Sequence, residues 1–392
     1  MTATTNPPAL DGLKVVDLSR VLAGPYAAML LADLGADVVK VERPGAGDDT
    51  RQWGPPFVGP EGARESTYFL STNRNKRSLA ADMKDPDDLA VVKALIRDAD
   101  VVIENFRAGV MDRLGLGNDA LLELNPRLVI LSITGFGADG PDADRTGYDQ
   151  ILQAEGGLMS FTGPTDEQPT KVGVPIADLV AGMLGTVGVL AALRERERTG
   201  RGQVVSTSLL AGQIAIHAFQ GTRWLVAGEV PGPAGNHHPT VCPYGLFPTA
   251  DASVVIAIGN DAIWKRFSTL VGLDPEDERF ATNALRVARR EEVEQLVSDA
   301  LRRQPVEHWL EQFAANGIPA GEVKTLDRVY ASPQVRQQGL VVEVEHPTLG
   351  RIELPGPPLK LSASGTVEHT APPTLGQHTE QIRDEVAEEA RR

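Results

Sequence analysis

Asp178 has the sequence surroundings that best suit covalent chemistry. It stands in VGVPIADLVAGMLG, between an apolar stretch and a run of small and aliphatic residues that reads as a buried helix. A carboxylate in the first turn of a helix is favoured by the helix dipole and by free backbone N–H groups. Two readings fit: an aspartate that merely caps the helix, or a nucleophile or base kept ionised by the dipole in an apolar pocket. Cys242 follows His238 by four residues, and a Cys–His pair can generate a thiolate. A lone cysteine is more often a small buried hydrophobe. His237 and His238 are adjacent, so on an extended chain they point to opposite sides. They read as part of a loop lining a site, and no metal site is expected.

Gly135, Gly137 and Gly140 form G-x-G-x-x-G after a strand-like run. A dinucleotide site needs a helix to begin there, so that its N-terminus meets the pyrophosphate. The following PDADRTG does not start one, and the glycines read as a plain loop. Basic residues cluster at Arg74, Lys76 and Arg77, followed by Lys84, then at Arg107 and Arg113, and at Arg43. These groups are expected at the C-terminal ends of parallel strands, where open α/β sheets bind ligands and where arginine suits a polyphosphate.

The elements that must position these residues alternate. KVVDL (14–18) is a strand, Gly24-Pro25 opens a helix ending near Gly35, and ADVVKVE (36–42) is the next strand. This is a βαβ unit and implies a parallel sheet. Residues 86–98 form a helix with Leu89, Val92, Leu95 and Ile96 on one stripe, and 100–106 and 128–137 are continuous apolar strands buried on both faces. A helix runs from Asp178 to Arg198, and Gly182 and Gly185 on it mark a close approach of other backbone or side chains. The Gly/Pro/His-rich stretch 227–245 is the clearest break in composition. Residues 246–325 read as a smaller α+β domain with helices around 261–272, 290–303 and 305–316. A hairpin at 339–353 turns at Pro347 to Gly350, and the tail ends in a charged helix.

Composition bounds the class. With 392 residues, 42% hydrophobic and 23% charged, the chain is an ordinary globular sequence of two or three domains. The formal net charge of −15 opposes a general nucleic-acid binder, and a single cysteine excludes a disulfide framework within one chain. The start MTATTNPPALDG lacks the basic and apolar regions of a signal peptide. The longest apolar stretch, Leu179 to Leu193, falls short of the about 20 residues of a membrane span. A cytoplasmic protein without membrane or nucleic-acid partners is expected.

Taken together, LDGLKVVDLSRVLAGP, LLADLGADVVKVERPGAGD, NRNKRSLAADMK, VVIENFRAGVMDRLGLG, GYDQILQAEGGLMSFTG, VGVPIADLVAGMLG, ALRERERTGRGQ, RFATNALRVARREEV, GIPAGEVKTLDRV and PPTLGQHTEQI resemble the class III CoA-transferases. Relatives in that group include formyl-CoA transferase, carnitine CoA-transferase and α-methylacyl-CoA racemase. The resemblance implies an α/β fold: a Rossmann-like, CoA-binding large domain over 1–200, a linker helix and loop at 201–235, a small α+β domain over 236–325, and a linker with return to the large domain over 326–392. It also implies an entwined, ring-like homodimer. CoA enters as substrate, acyl-CoA plus a small carboxylic acid, with no permanently bound cofactor.

The family's nucleophile matches Asp178, which would pass through an aspartyl anhydride and an aspartyl-CoA thioester, with succinyl-CoA a candidate donor. Arg43, the segment Ala81, Asp82, Met83 and Lys84, the stretch Asn105, Phe106 and Arg107, and Arg113 match CoA-lining positions. Tyr148 and Asp149 match a Tyr–acid pair near the reactive end. Gly235, Asn236, His237 and His238 stand where formyl-CoA transferase carries a glycine-rich loop, with histidines replacing glycines. Leu22 replaces a glutamine of that relative, which argues for a larger or more apolar acyl group than formyl or oxalyl. Tyr148 stands where the racemases have a histidine base, and a phenol is a weak base at neutral pH. Racemisation with Asp178 in acid–base chemistry is the alternative. A nicotinamide enzyme and a CoA-binding protein without catalysis are the further rivals.

Overall fold

The computed structural model describes residues 6–391, and the chain divides into two compact units. The first comprises the residues up to Gly157, Val172–Thr222, and those from Pro333 onward. Its centre is a six-stranded parallel sheet. In chain order its elements are β1 (Lys14–Asp17), α1 (Ala23–Asp33), β2 (Asp37–Glu42), β3 (Lys76–Ala80), α2 (Pro86–Asp98), β4 (Val101–Glu104), β5 (Val129–Thr134), α3 (Asp149–Glu155), α4 (Ile176–Thr199), β6 (Gln203–Ser208) and α5 (Leu209–Ala215). The strand order is β3-β2-β1-β4-β5-β6, all neighbours parallel. Chain direction across the sheet reverses between β1 and β4, and that is where a doubly wound sheet opens its binding crevice.

Alternate strand residues serve the two faces. Val15, Ile103, Val129 and Leu131 join α1 and α4 in one buried cluster. Val16, Val39, Val102 and Ile130 join α2 in another, through its buried Val92 and Ile96. The β-rich sequences are apolar throughout because both faces are covered. Helix α2 begins where the Asp85 side chain accepts from the N–H groups of Asp87 and Asp88, with proline at its start.

Helix α4 runs from Ile176 and stops at Gly200, whose φ of 73° closes it in the left-handed region. It packs on α1, on α5 and on the sheet. The glycine spacing has its reason here. A Cβ at Gly182 would sit 2.6 Å from the Ala23 carbonyl oxygen, and one at Gly185 would sit 3.0 Å from the Leu131 side chain. By length and composition α4 could cross a membrane, since its most apolar 18-residue window has a mean hydropathy of 2.0. The count from Leu179 to Leu193 missed this because the helix continues beyond the apolar run on both sides. Half of the window is buried, with Ala177, Ala181, Val189 and Ala192 in the core of the first unit.

Gln203–Ser208 and Leu209–Ala215, inside the stretch read from sequence as a linker, form the last strand of the sheet and a helix packed on α4. The strand's half-polar pattern suits a sheet edge and hides it from a search for continuous apolar runs.

The second unit comprises Leu158–Lys171 and Arg223–Ser332. It holds β7 (Tyr244–Pro248), β8 (Ser253–Ala257), α6 (Asp261–Val271), α7 (Arg290–Leu301), α8 (Val306–Ala315) and β9 (Ala320–Glu322). The strands form an antiparallel sheet in the order β9-β8-β7. Its core includes Phe247, Ile256, Trp264, Phe267, Val297 and Phe313. The chain then returns to the first unit with a hairpin, β10 (Val341–His346) and β11 (Gly350–Pro355), and with α9 (Thr379–Glu389). Helix α9 buries Ile382 in the α2-side cluster.

Candidate active site

A cavity of about 340 Å³ opens at the C-terminal edge of the parallel sheet, wholly within the first unit. The residues just after β1 (Arg20, Val21, Ala23), just after β4 (Asn105 to Ala108) and at the end of β5 (Thr134, Gly135) line it. Asp49, the segment Ala143 to Tyr148, Leu209 and Asp178 complete it. A larger groove of about 490 Å³ between residues 58–71 and the β10–β11 hairpin holds a single charged residue, Glu353, already paired with Arg336. The first cavity is the candidate site.

Asp178 lies in the first turn of α4 and is half-buried. No side-chain hydrogen bond to its carboxylate exists among the described residues. Asp149, the first residue of α3, supplies what Asp178 does not. Its Oδ1 accepts from the Ala177 N–H at 2.7 Å, so it satisfies a free donor at the start of α4, and its Oδ2 accepts from Gln153 Nε2 at 2.7 Å. The capping role weighed for Asp178 therefore falls to Asp149. The expectation of a dipole-stabilised anion is also corrected. Burial first, and the Asp149 carboxylate second, push Asp178 up to about 7.

Tyr68, which no sequence motif marked, belongs to the same neighbourhood. Burial first, then the carboxylates of Asp178, Asp149 and Asp48, push its phenol up to about 12. It stays a neutral O–H, its ring edge-on to Trp53 at 5.1 Å.

The basic wall is built around Arg20. Its N–H donates to Asn105 Oδ1 at 2.8 Å, and Asn105 Nδ2 donates back to its carbonyl at 2.6 Å. The guanidinium lies 4.9 Å from the centre of the Phe106 ring and 3.6 Å from Asp49. Arg43, exposed after β2, also pairs with Asp49, at 2.9 Å. Arg107 lines the cavity directly, as does Arg145, whose guanidinium lies over Phe136 at 4.2 Å. Gly135 and Gly147 explain how the loop carrying Arg145 returns to the edge: a Cβ on Gly135 would sit 2.9 Å from the Gly147 backbone. The helix after this loop begins only at Asp149, so the G-x-G-x-x-G segment faces no helix N-terminus of its own.

Asn105, Phe106, Arg107, Tyr148 and Asp178 therefore meet in one cavity, with Arg43 joined to it through Asp49 and Asp149 beneath it. Tyr148 is 53% exposed. Leu22 is 3% exposed and does not line the cavity, although both its neighbours do. Ala81, Asp82, Met83 and Lys84 follow the C-terminal end of β3, and Arg113 ends the short helix Val110–Arg113; none of them lines the cavity.

Arg74, Lys76 and Arg77 depart most from expectation. β3 starts at Lys76, which puts them at the N-terminal edge, and each is neutralised internally: Arg74 by Asp33, Lys76 by Asp17, Arg77 by Asp37 and Glu385. They are not a polyphosphate site.

Gly235, Asn236, His237 and His238 belong to the second unit. Gly235 N–H donates to the Gly163 carbonyl, His237 Nδ1 lies 3.2 Å from Glu294, and His238 stacks on Tyr244 at 5.1 Å. A Cβ on Gly245 would sit 2.5 Å from the Asn236 carbonyl oxygen. Cys242 is fully buried there and its thiol is pushed up to about 11, chiefly by burial, which leaves it inert. Among the sequence signals, Arg20 was the one within reach: it follows the first strand of the βαβ unit, at the edge where ligands bind.

Comparison with known proteins shows the family. The family profile described as CoA-transferase family III matches residues 10–379. The chain is 41% identical over 379 residues to the succinyl-CoA:glutarate CoA-transferase of Homo sapiens, covering 96% of this chain and 86% of that one. It is 43% identical over 385 residues to the succinate–glutarate CoA-transferase of Agrobacterium fabrum, covering 97% and 96%. The crystal structure of a CAIB/BAIF family protein from Brucella suis superposes with a TM-score of 0.87 at 40% identity, over 97% of this chain and 100% of that chain.

Proposed function

The chain belongs to CoA-transferase family III, and on that premise we propose that Asp178 carries CoA from succinyl-CoA to a short dicarboxylate of the glutarate type through two covalent aspartyl intermediates. CoA transfer is the activity the relatives are named for, and succinyl-CoA stands in the name of the human one. The observation that carries the mechanism is Asp178 itself, a carboxylate with no side-chain hydrogen bond among the described residues, opening into a cavity walled by Arg20, Arg107 and Arg145.

The Asp178 carboxylate attacks the thioester carbonyl, the C–S bond breaks, and CoA leaves as thiolate, which gives a mixed anhydride. The thiolate then attacks the aspartyl carbonyl of that anhydride. Succinate leaves, and an aspartyl-CoA thioester remains. The acceptor carboxylate attacks this thioester, expels the thiolate and forms a second anhydride. Thiolate attack on its acceptor carbonyl releases the new acyl-CoA and restores Asp178. Each step trades one acyl bond for another, so no net proton and no external energy source is required.

An aspartate that titrates near 7 would also serve as a base for an α-proton, which keeps racemisation as the competing chemistry. One experiment separates the two. Incubation with succinyl-CoA followed by hydroxylamine gives an aspartyl hydroxamate at Asp178 by peptide mass spectrometry if the intermediate is covalent. Absence of that adduct, together with α-deuterium exchange in a 2-methylacyl-CoA, would overturn transfer in favour of racemisation.

The assembly proposed from the family resemblance is an entwined homodimer. In the first unit, Met183, Val187, Ile214 and Phe219 are 41%, 62%, 56% and 51% exposed on α4, on α5 and just after it. Exposed apolar side chains of this kind are what an interface between copies would cover. Light scattering at micromolar concentration is expected to give twice the chain mass of 41.9 kDa; a stable monomer would end the proposal.

A further inference from the structure

Beneath the cavity lies a cluster of charges that does not reach it. The side chains of Asp17, Lys40, Asp48 and Lys76 are all fully buried. Lys76 is committed to structure: its Nζ donates to Asp17 Oδ2 at 3.0 Å, the Pro25 carbonyl at 2.8 Å and Asn73 Oδ1 at 2.9 Å. Lys40 differs in what its partners adjoin. Its Nζ donates to the Ser19 carbonyl at 2.9 Å and lies 2.9 Å from Asp48 Oδ2, with Asp17 at 3.8 Å. Ser19 precedes Arg20, and Asp48 precedes Asp49, and both following residues line the cavity. One ammonium thus ties the turn after β1 to the turn after β2.

The tie has something to hold. Val21 has φ of 72°, a left-handed conformation that a β-branched residue adopts only under constraint from its surroundings. Its N–H donates to Asp48 Oδ1 at 3.2 Å, the carboxylate whose other oxygen is held by Lys40. Asp48 is itself fixed by the Thr50 N–H and hydroxyl, at 2.9 and 2.8 Å, and by its own N–H on Glu42 at 3.0 Å. Removing Lys40 leaves the buried Asp48 carboxylate without its counter-charge and loosens the group that holds the Val21 N–H, while Asp17 keeps Lys76.

We propose that Lys40 is a positioning residue for the CoA-binding wall, locking the left-handed Val21 turn and, with it, the placement of Arg20 and Asp49. This rests on reading the cavity as the CoA site. Lys40 touches neither substrate nor Asp178, so its loss acts on CoA affinity and leaves the covalent step intact at saturation.

The test is a double-mutant cycle read by calorimetric titration with free CoA. In Lys40→Met the Kd for CoA rises on the order of tenfold, while hydroxamate yield at saturating succinyl-CoA is retained. Glycine adopts positive φ without strain, so the same Lys40→Met change costs markedly less in a Val21→Gly background. If Lys40→Met does not fold, Lys40→Met with Asp48→Asn removes a charge of each sign and leaves the Asp17–Lys76 pair; it is expected to show the same loss and the same relief by glycine. A folded Lys40 variant that binds CoA as the unmodified protein does overturns the inference. So does an equal loss in both backgrounds, which marks a purely structural role. If the unmodified protein itself binds no CoA, the functional reading fails first and takes this inference with it.

Discussion

Asp178→Asn is expected to lower turnover between succinyl-CoA and glutarate by on the order of 10⁴-fold or more, while CoA still binds. An amide has nearly the shape of the carboxylate but cannot form the anhydride, so binding and chemistry separate cleanly in this variant. The same substitution is expected to raise the midpoint of thermal unfolding at pH 8. Asp178 titrates near 7 in the folded chain and near 4 when unfolded. The folded state therefore holds a proton that the unfolded state has already released across about pH 4 to 7, and stability falls as pH rises through that window. Asparagine carries no such penalty. Its advantage is full above about pH 7 and shrinks toward pH 5. A variant that loses activity and stability together would mean that Asp178 is structural, and one that retains turnover would end the nucleophile assignment.

The second large effect is on pH dependence. The attacking species is the ionised carboxylate, so kcat/KM for succinyl-CoA is expected to rise about tenfold per pH unit below an apparent pKa near 7 and to level off above it. Between pH 8 and pH 5 the fall amounts to about a hundredfold. Burial is the larger cause of the high value and the Asp149 carboxylate the smaller. Asp149→Asn therefore moves the midpoint of the profile down while keeping an oxygen to accept the Ala177 N–H. Initial rates across pH 5 to 9, with folding checked by circular dichroism, decide it. A flat profile down to pH 5 would mean that the Asp178 pocket is wetter or more positive in the substrate complex than in the free chain.

Much of the frame was legible from local signals. The alternation of KVVDL, a helix opened by Gly24-Pro25, and ADVVKVE named a βαβ unit, and the structure shows it. Gly182 and Gly185 announced a close approach that Ala23 and Leu131 supply. Charge was harder to read. The rule that basic residues beyond parallel strands face a ligand holds for Arg107, which lines the cavity, and for Arg43, which is joined to it. It fails for Arg74, Lys76 and Arg77, because the strand begins at Lys76 and leaves all three at its N-terminal end. Arg20 stood alone in LSRVLAGP without a cluster to draw attention, and its partners Asn105 and Phe106 come from a strand far along the chain.

The sequence by itself determined the parallel sheet and the helix turn that carries Asp178, because periodicity and turn residues act over a few positions of chain; its motifs carried the family resemblance, on which the nucleophilic role is proposed. Only the tertiary structure decided the ionisation of Asp178, the capping role of Asp149 and the tie that Lys40 makes beneath the cavity. Those properties depend on burial and on charges brought together from separate strands. An electrostatic energy is set by distance and local dielectric in space, and neither is written in the order of residues.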